Sequence, residues 1–576
     1  MSPREQDQIS GGIGASANVE LQYNNEESAP AAAAAAAVDL VVQQSSSSVS
    51  DLDKKATSPS DGVAVGFADL TYTVPLKPKK KDDPNNSLTI LHSLSGSFLP
   101  GRMTALMGAS GSGKSTLLDV LSGRKNSGDI RGTVTYNGRT PKPSDNRRFV
   151  GYVEQFDTLV GELTVEQMLS YTAALKLPAS VTSTERTERV NEVIARLDLE
   201  SCRRTIIGSA LVRGISGGQA KRVNIGLAMI TRPRVLFLDE PTSGLDSRTA
   251  DEVIELLWDL AREGRTVVCT IHSPTGAAFG KFDDLHMLSG GKTIYDGPMS
   301  SVQGYFEGFG YRKVPEMSLP EWLVDLTSES PRHKQTAILD DNDNDNDDDG
   351  PVDMDAMEEA QYGERDFVVL YENSHIRRQS IVRRQSTMGS VVDTQEDLTP
   401  PSQLSKLLTL LRFRMLAHYK DGEFQGTRFG DKIVFSVLIL SLYWGIGNKT
   451  DAQSIQSTAA LLYFIAAICG YGAAAFVPSL TLERSLYYRE LADGCYKPAT
   501  YYMSKFIEEG VLATFTSLVF SLVVFFGCSL QGHFLLLFIS YYLTTMLGII
   551  LAYAVAAVSP TMEFANAFLP TLVTIW

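Results

Sequence analysis

The sequence predicts an α/β domain built on a parallel sheet, followed by an all-α domain of several membrane spans. Three observations carry this. Between Gly62 and Pro331, apolar β-branched runs alternate with helical stretches, the pattern of a parallel sheet with crossover helices. Within that region residues 108–115 read G-x-x-x-x-G-K-S, a phosphate-binding loop between a strand and a helix. From Lys432 onward the chain is largely apolar.

Residues 1–61 hold an alanine run, Ala31–Ala37, and a serine run, Ser45–Ser48, in a polar background. Such a segment buries too little apolar surface to offset ordering entropy, so disorder is expected. No apolar h-region follows a basic start, so a cleaved secretory signal is not expected.

Clear strands are Met103–Met107, Val235–Leu238 and Thr266–Ile271, and each ends at a candidate residue, as expected where ligands bind at the carboxyl ends of parallel strands. After the first come Gly108, Ala109, Ser110, Gly111, Ser112, Gly113, Lys114 and Ser115, then the helical run from Thr116 to Leu121. Glycines let the backbone wrap phosphates and aim its N–H groups at them. Lys114 is suited to neutralise β/γ-phosphate charge and Ser115 to ligate Mg²⁺, which makes the α/β domain a P-loop NTPase. The second strand ends in two acids: Asp239 as the Mg²⁺-side carboxylate, Glu240 as general base for an attacking water. Ser216, Gly217, Gly218 and Gln219 precede a further helical run and form a second helix N-terminus, hence a second anion site. One nucleotide cannot easily touch both sites within one domain, so a partner domain is expected.

Residues 332–401 are expected to be a disordered linker, since its acidic tract Asp340–Asp349 repels itself. It contains a short repeat, Arg377-Arg-Gln-Ser380 and Arg383-Arg-Gln-Ser386. A basic pair ahead of a serine resembles the substrate pattern of basophilic kinases; a solvated counterweight to the acidic tract is the plainer reading. Over 402–431 the spacing of Leu404, Leu407, Leu408, Leu411 and Met415 predicts an amphipathic elbow helix. Lys406, Arg412, Arg414, His418 and Lys420 are its interspersed polar positions, and such a basic helix is suited to a membrane surface or to docking on the soluble domain.

Four spans are expected near Lys432–Gly447, Thr458–Leu480, Gly510–Cys528 and Phe534–Val558, with a fifth starting near Phe564 and cut off at Trp576. A helical span needs roughly 20 apolar residues, so the first is short. Arg484, Arg489, Lys497 and Lys505 crowd the connection before the third span, which places that connection and the α/β domain in the cytosol. Asn448-Lys-Thr450 then faces outward as a glycosylation sequon. The net charge of -15 argues against a nucleic-acid partner. The five cysteines show no zinc-ligand spacing and read as free thiols. No D-K-T-G occurs, which excludes a pump that phosphorylates an aspartate.

The phosphate loop, Ser216–Gln219, the acid-ended strand, Ser243-Gly-Leu-Asp246 and the strand-end His272 stand in an order that resembles ABC-type nucleotide-binding domains, over roughly Val63 to Phe306. The resemblance implies a head-to-tail dimer holding each ATP between Lys114 and Ser115 of one domain and Ser216, Gly217 and Gly218 of the other. By the same resemblance Gln155 senses Mg²⁺ and faces the membrane domain, His272 contacts the γ-phosphate and Asp246 sits across the dimer. Tyr72 resembles the aromatic that stacks on adenine, with Phe67 as competitor. The domain order, Ile271-His-Ser-Pro274 and Glu483-Arg-Ser-Leu-Tyr-Tyr-Arg-Glu490 resemble the G subfamily and its pleiotropic-drug-resistance relatives. Ile215 stands where leucine is usual, and the family's six spans exceed those present here. The spans nearly exclude a soluble ABC ATPase of translation or DNA repair.

The expected function is an ATP-hydrolysing exporter of lipid-like or amphipathic small molecules, a homo- or heterodimer with another half-transporter, in contact with membrane lipid and placed at the plasma membrane. The alternative is a truncated, non-transporting nucleotide-binding partner or regulator.

Overall fold

A computed structural model describes residues 62–76, 87–125, 127–140, 149–209, 212–272, 274–326, 367–387, 399–420 and 422–575. The expectations for 1–61 and for the acidic tract lie outside them. In chain order the strands are β1 (Val65–Pro75), β2 (Ser87–Phe98), β3 (Met103–Gly108), β4 (Asp129–Tyr136), β5 (Val150–Val153), β6 (Val235–Leu238), β7 (Thr266–Thr270), β8 (Asp284–Ser289) and β9 (Lys292–Pro298). The larger sheet runs β5-β6-β7-β3-β8-β9, parallel except for the antiparallel edge strand β9. The strands expected from β-branched runs are β3, β6 and β7, adjacent at its centre. A second, antiparallel sheet in the order β2-β1-β4 was not foreseen. Its strands are half-exposed, so their apolar signal is diluted by polar residues such as Thr71 and Thr73.

Helix α1 (Lys114–Leu121) starts at the phosphate loop and lies between the sheets. Leu117 and Leu121 pack in one buried cluster with Phe67 and Leu91 of the antiparallel sheet and Phe237 and Val268 of the mixed sheet. The phosphate loop is thus held by apolar burial on both sides of its helix. The other long helices here are α2 (Val165–Lys176), α3 (Ser183–Arg196), α4 (Gly217–Met229) and α5 (Ser247–Arg262). Thr164 and Thr182 cap α2 and α3 with reciprocal bonds to Gln167 and Glu185.

The linker expectation needs correction over 367–387, where α6 (Phe367–Asn373) and α7 (His375–Thr387) form. Tyr371 and Ile376 are buried, and the Phe367 ring lies 5.8 Å from that of Phe306 and 5.2 Å from that of Tyr311. These apolar anchors sit at helical spacing; the neighbouring acidic composition masked them.

The elbow comprises α8 (Gln403–Leu410) and a π-helical turn, Leu411–Met415, running on to His418. Leu404 and Leu408 are exposed, as a membrane-surface face requires, but Lys406 and Arg414 are buried. Lys406 and Arg414, with half-buried His418, therefore point into the protein, toward acids placed later in the chain, while Arg412 and Lys420 stay exposed. Helices α9 (Gly422–Tyr443), α10 (Ala452–Gly472), α11 (Arg484–Ala492), α12 (Pro498–Gly527), α13 (Phe534–Val558) and α14 (Met562–Ile575) follow. Among the described residues four helical stretches are long and apolar enough to cross a membrane: Phe424–Asn448, Ala452–Thr481, Pro498–Gly527 and Phe534–Val558. The first is not short. It extends N-terminally past Arg428, whose guanidinium meets Glu509 of α12 at 2.6 and 3.0 Å. Pairing satisfies a charge that an apolar count treats as the end of the span.

Candidate nucleotide site and its link to the membrane helices

The site begins at the carboxyl end of β3. Gly108 has φ +144°, and a Cβ there would stand 2.1 Å from the Leu288 carbonyl oxygen, so a side chain would collide with β8. Lys114 is buried and donates from Nζ to the carbonyls of Gly108 and Ala109, both at 2.9 Å. Burial pulls its pKa down, opposed by Glu240 and Asp239. Ser115 is exposed and donates from Oγ to Asp239 Oδ1 at 3.0 Å. Two of the three residues expected on the Mg²⁺ side, Ser115 and Asp239, are therefore together. A hydroxyl, a carboxylate and phosphate oxygens make a hard donor set that fits Mg²⁺.

Glu240 follows β6 with φ +44°, a left-handed conformation that costs a non-glycine residue on the order of 1 kcal/mol. Thr270 of β7 holds it there. Its Oγ1 accepts the Glu240 N–H at 2.7 Å and donates to Asp239 Oδ1 at 2.6 Å. The Glu240 carboxylate accepts from Gln155 Nε2 at 2.7 Å. Gln155 is thus joined to the acid pair, and its own carbonyl accepts from Lys221 Nζ of α4 at 2.8 Å. Thr270 and Lys221 were missed by sequence reasoning: a threonine ending an apolar strand and a lysine inside a helix carry no distinctive pattern. His272 lies two residues past the end of β7, exposed.

Ser216 caps α4, bonded reciprocally to Gln219. Ser216 and Gly217 are exposed. The neighbours of this turn are Leu245 and Thr249; a Cβ on Gly218 would stand 2.1 Å from Thr249 Cγ2. Asp246 caps α5 by accepting the Thr249 N–H at 3.1 Å, and its bonds to Thr249 hold its carboxyl below the usual range. The turn opens α4 and packs against the start of α5. Tyr72 is placed otherwise than expected. It is 3% exposed, packs in the cluster around α1 and donates to the Ser127 carbonyl at 2.9 Å, leaving no ring face for a base. Phe67 is fully buried as well.

From this site a charged path leads to α11. Arg124, just after α1, bridges Glu154 and Asp493, each at 3.0 Å, and Lys176 of α2 meets Asp493 at 2.7 Å. Arg489 donates to the Thr158 carbonyl. A cavity of about 450 Å³, lined by Gln155 and Asp239 on one side and Tyr488 and Arg489 on the other, lies along this path. Deeper, Arg414 of the elbow pairs with Glu483 and, at 2.8 Å, with Glu490, which also accepts from Tyr171 of α2 at 3.1 Å. Lys505 and His418 reach Glu483 at 2.6 and 2.9 Å. Arg414 and His418 thus have acidic partners at the start of α11, Glu483, and, for Arg414, within it, Glu490.

A phosphate loop, an acid-ended strand and a capped Ser-Gly-Gly turn, joined through α11 to membrane-crossing helices, define an ATP-binding cassette transporter. Residues 91–243 match the family described as ABC transporter, and 405–576 the family described as ABC-2 type transporter. The chain is 30% identical over 483 residues to the broad substrate specificity ATP-binding cassette transporter ABCG2 of Mus musculus, covering 82% of this chain and 71% of that protein. With ABC transporter G family member 22 of Arabidopsis thaliana it shares 33% identity, covering 83% and 64%. It belongs to the G family of ABC transporters. The chain spans about a third of the length of other plant relatives: 36% of G family member 38 of Arabidopsis thaliana, at 30% identity over 91% of this chain.

Proposed function

We propose that the chain is a half-transporter that binds ATP with Mg²⁺ and uses hydrolysis to export lipid-like or amphipathic small molecules, as a homo- or heterodimer at the plasma membrane. The observation that carries this is the exposed Ser216-Gly217 turn, which packs at Gly217 and Gly218 against Leu245 and Thr249. Exposed N–H groups at a helix N-terminus attract anions, so the turn of one copy completes the site around Lys114 and Ser115 of another. In that arrangement Glu240 takes a proton from water, Gln155 and Asp239 stand on the Mg²⁺ side, His272 meets the γ-phosphate and Asp246 lies across the dimer. The ion-paired α11 passes the movement to the spans.

The test is complementation. Lys114→Ala and Gly217→Asp are each expected to abolish ATPase activity in reconstituted vesicles. Co-expressed, they form mixed dimers in which one site keeps an intact phosphate loop and an intact turn, so activity returns. No recovery, with mixed dimers verified by differential tags, would remove the shared site. Stimulation of the parent protein across a panel of lipids, sterols and drugs then identifies the cargo class.

Thr270→Val keeps shape and removes both bonds that hold the acid pair. Hydrogen bonds to charged groups contribute about 1.5–3 kcal/mol. Turnover is expected to fall about tenfold or more with ATP binding retained, read by phosphate release and by equilibrium nucleotide binding.

A further inference from the structure

The repeat of Arg-Arg-Gln-Ser acquires a structural setting in α7. We propose that Ser380 is a phosphorylation site for an Arg-Arg-x-Ser-selective protein kinase, and that its modification releases α7 from the edge of the nucleotide-binding sheet. Arg377, Arg378, Gln379 and Ser380 lie on one turn, with Arg378 and Gln379 exposed and Ser380 buried. The Ser380 hydroxyl donates to Asp296 Oδ2 of β9. Asp296 is itself buried, with its other oxygen 3.2 Å from His286 Nδ1. One turn on, Arg383 donates to Asp284 Oδ1 of β8 at 3.0 Å, a carboxylate already held by Arg102. Ile376 completes the contact: it is 3% exposed, and a Cβ on Gly297 would stand 3.1 Å from its Cγ2.

This docking and a phosphate exclude each other. A phosphoserine carries about -1.5 to -2 charges and three acceptor oxygens. At Ser380 it would face the Asp296 carboxylate in a space that holds only a hydroxyl. Arg377 and Arg383 stand three residues to either side and reach the phosphate along the helix surface. Arg383 would then leave Asp284, so a second docking contact goes with the first. A kinase needs an accessible hydroxyl, so it acts on the undocked helix and its product cannot redock. In the step itself, Ser380 Oγ bonds to the γ-phosphorus of ATP supplied to the kinase. The bond from that phosphorus to the ADP oxygen breaks, and the hydroxyl proton passes to the kinase's base.

The experiment uses the full chain in lipid nanodiscs with Ser386→Ala, so that one serine of the repeat remains. It is treated with a basophilic kinase and Mg²⁺-ATP, then examined by phosphopeptide mapping and by hydrogen exchange over 367–387. Ser380 is expected to be modified, and amides of 375–387 to lose most of their protection. Ile376→Ala loosens docking without altering the serine or its arginines, so modification is expected to speed up about tenfold. Ser380→Glu is expected to show the same loss of protection without any kinase. An unmodified Ser380 in both parent and Ile376→Ala proteins would overturn the site. Unchanged protection after modification, or equal rates in the two proteins, would overturn the release.

Discussion

Glu240→Gln is expected to keep ATP bound and to lose hydrolysis by about 10²–10⁴-fold, the usual contribution of a general base. The substitution removes the proton acceptor and little else. Glutamine matches the shape of glutamate, its backbone N–H still finds Thr270, and its side-chain amide still offers an oxygen to Gln155 Nε2. The left-handed backbone at this residue is a local cost that the fold tolerates, and an amide there changes neither the strain nor the packing around Lys114. Phosphate release under saturating ATP gives the rate, and retention of labelled ATP after rapid dilution gives the trapped state. Because Gln155 donates to the carboxylate and does not take a proton from water, Gln155→Ala leaves the base in place and should slow turnover far less. Normal hydrolysis by Glu240→Gln would take the base role away from this residue.

The nucleotide site was legible because its chemistry is local. A loop of glycines, a lysine and a serine, and an apolar strand ending in two acids, are read within a few residues of each other. The sheet then brings Gln155 to Glu240 through the adjacent strands β5 and β6, and Ser115 to Asp239 across the intervening β7. What escaped notice depends on partners distant in sequence. Tyr72 carries no mark in sequence that separates a base-stacking ring from a core ring, and only its burial under β4 and α1 decides. The docked helices α6 and α7 sit beside an acidic tract that dominates composition, although Phe367, Tyr371 and Ile376 were there to be weighed singly. The elbow shows the same limit with opposite charge. Its periodicity marks Lys406 and Arg414 as a pair of polar positions, and such a pair is ordinarily solvated. That this one is buried follows from Glu483 and Glu490, some seventy residues later.

Those acids make Arg414→Met the most costly change expected outside the nucleotide site. Methionine fills much of the arginine volume, so the effect is electrostatic. Glu490, 3% exposed, loses its cation and, among the described residues, keeps the Tyr171 and Tyr496 hydroxyls, while Glu483 keeps Lys505 and His418. Removing one partner of a buried pair costs about 3–5 kcal/mol, since the other charge stays desolvated. A large drop in the thermal midpoint is therefore expected in the detergent-solubilised protein. Adding Glu490→Gln should recover part of it, because the stranded charge is then gone; a double-mutant cycle gives the coupling. Acid sharpens the test. Burial pushes the Glu483 carboxyl up, but Lys505, Arg414 and His418 outweigh it and hold it well below the usual carboxylate range. A depressed carboxyl contributes stability that is full above its unfolded value and lost as pH falls through its folded value. With Arg414 gone that folded value rises, so acid unfolding of the variant should begin at a higher pH than in the parent. Equal midpoints in heat and in acid would mean that Arg414 is solvated and that the elbow is not fastened to α11 by charge.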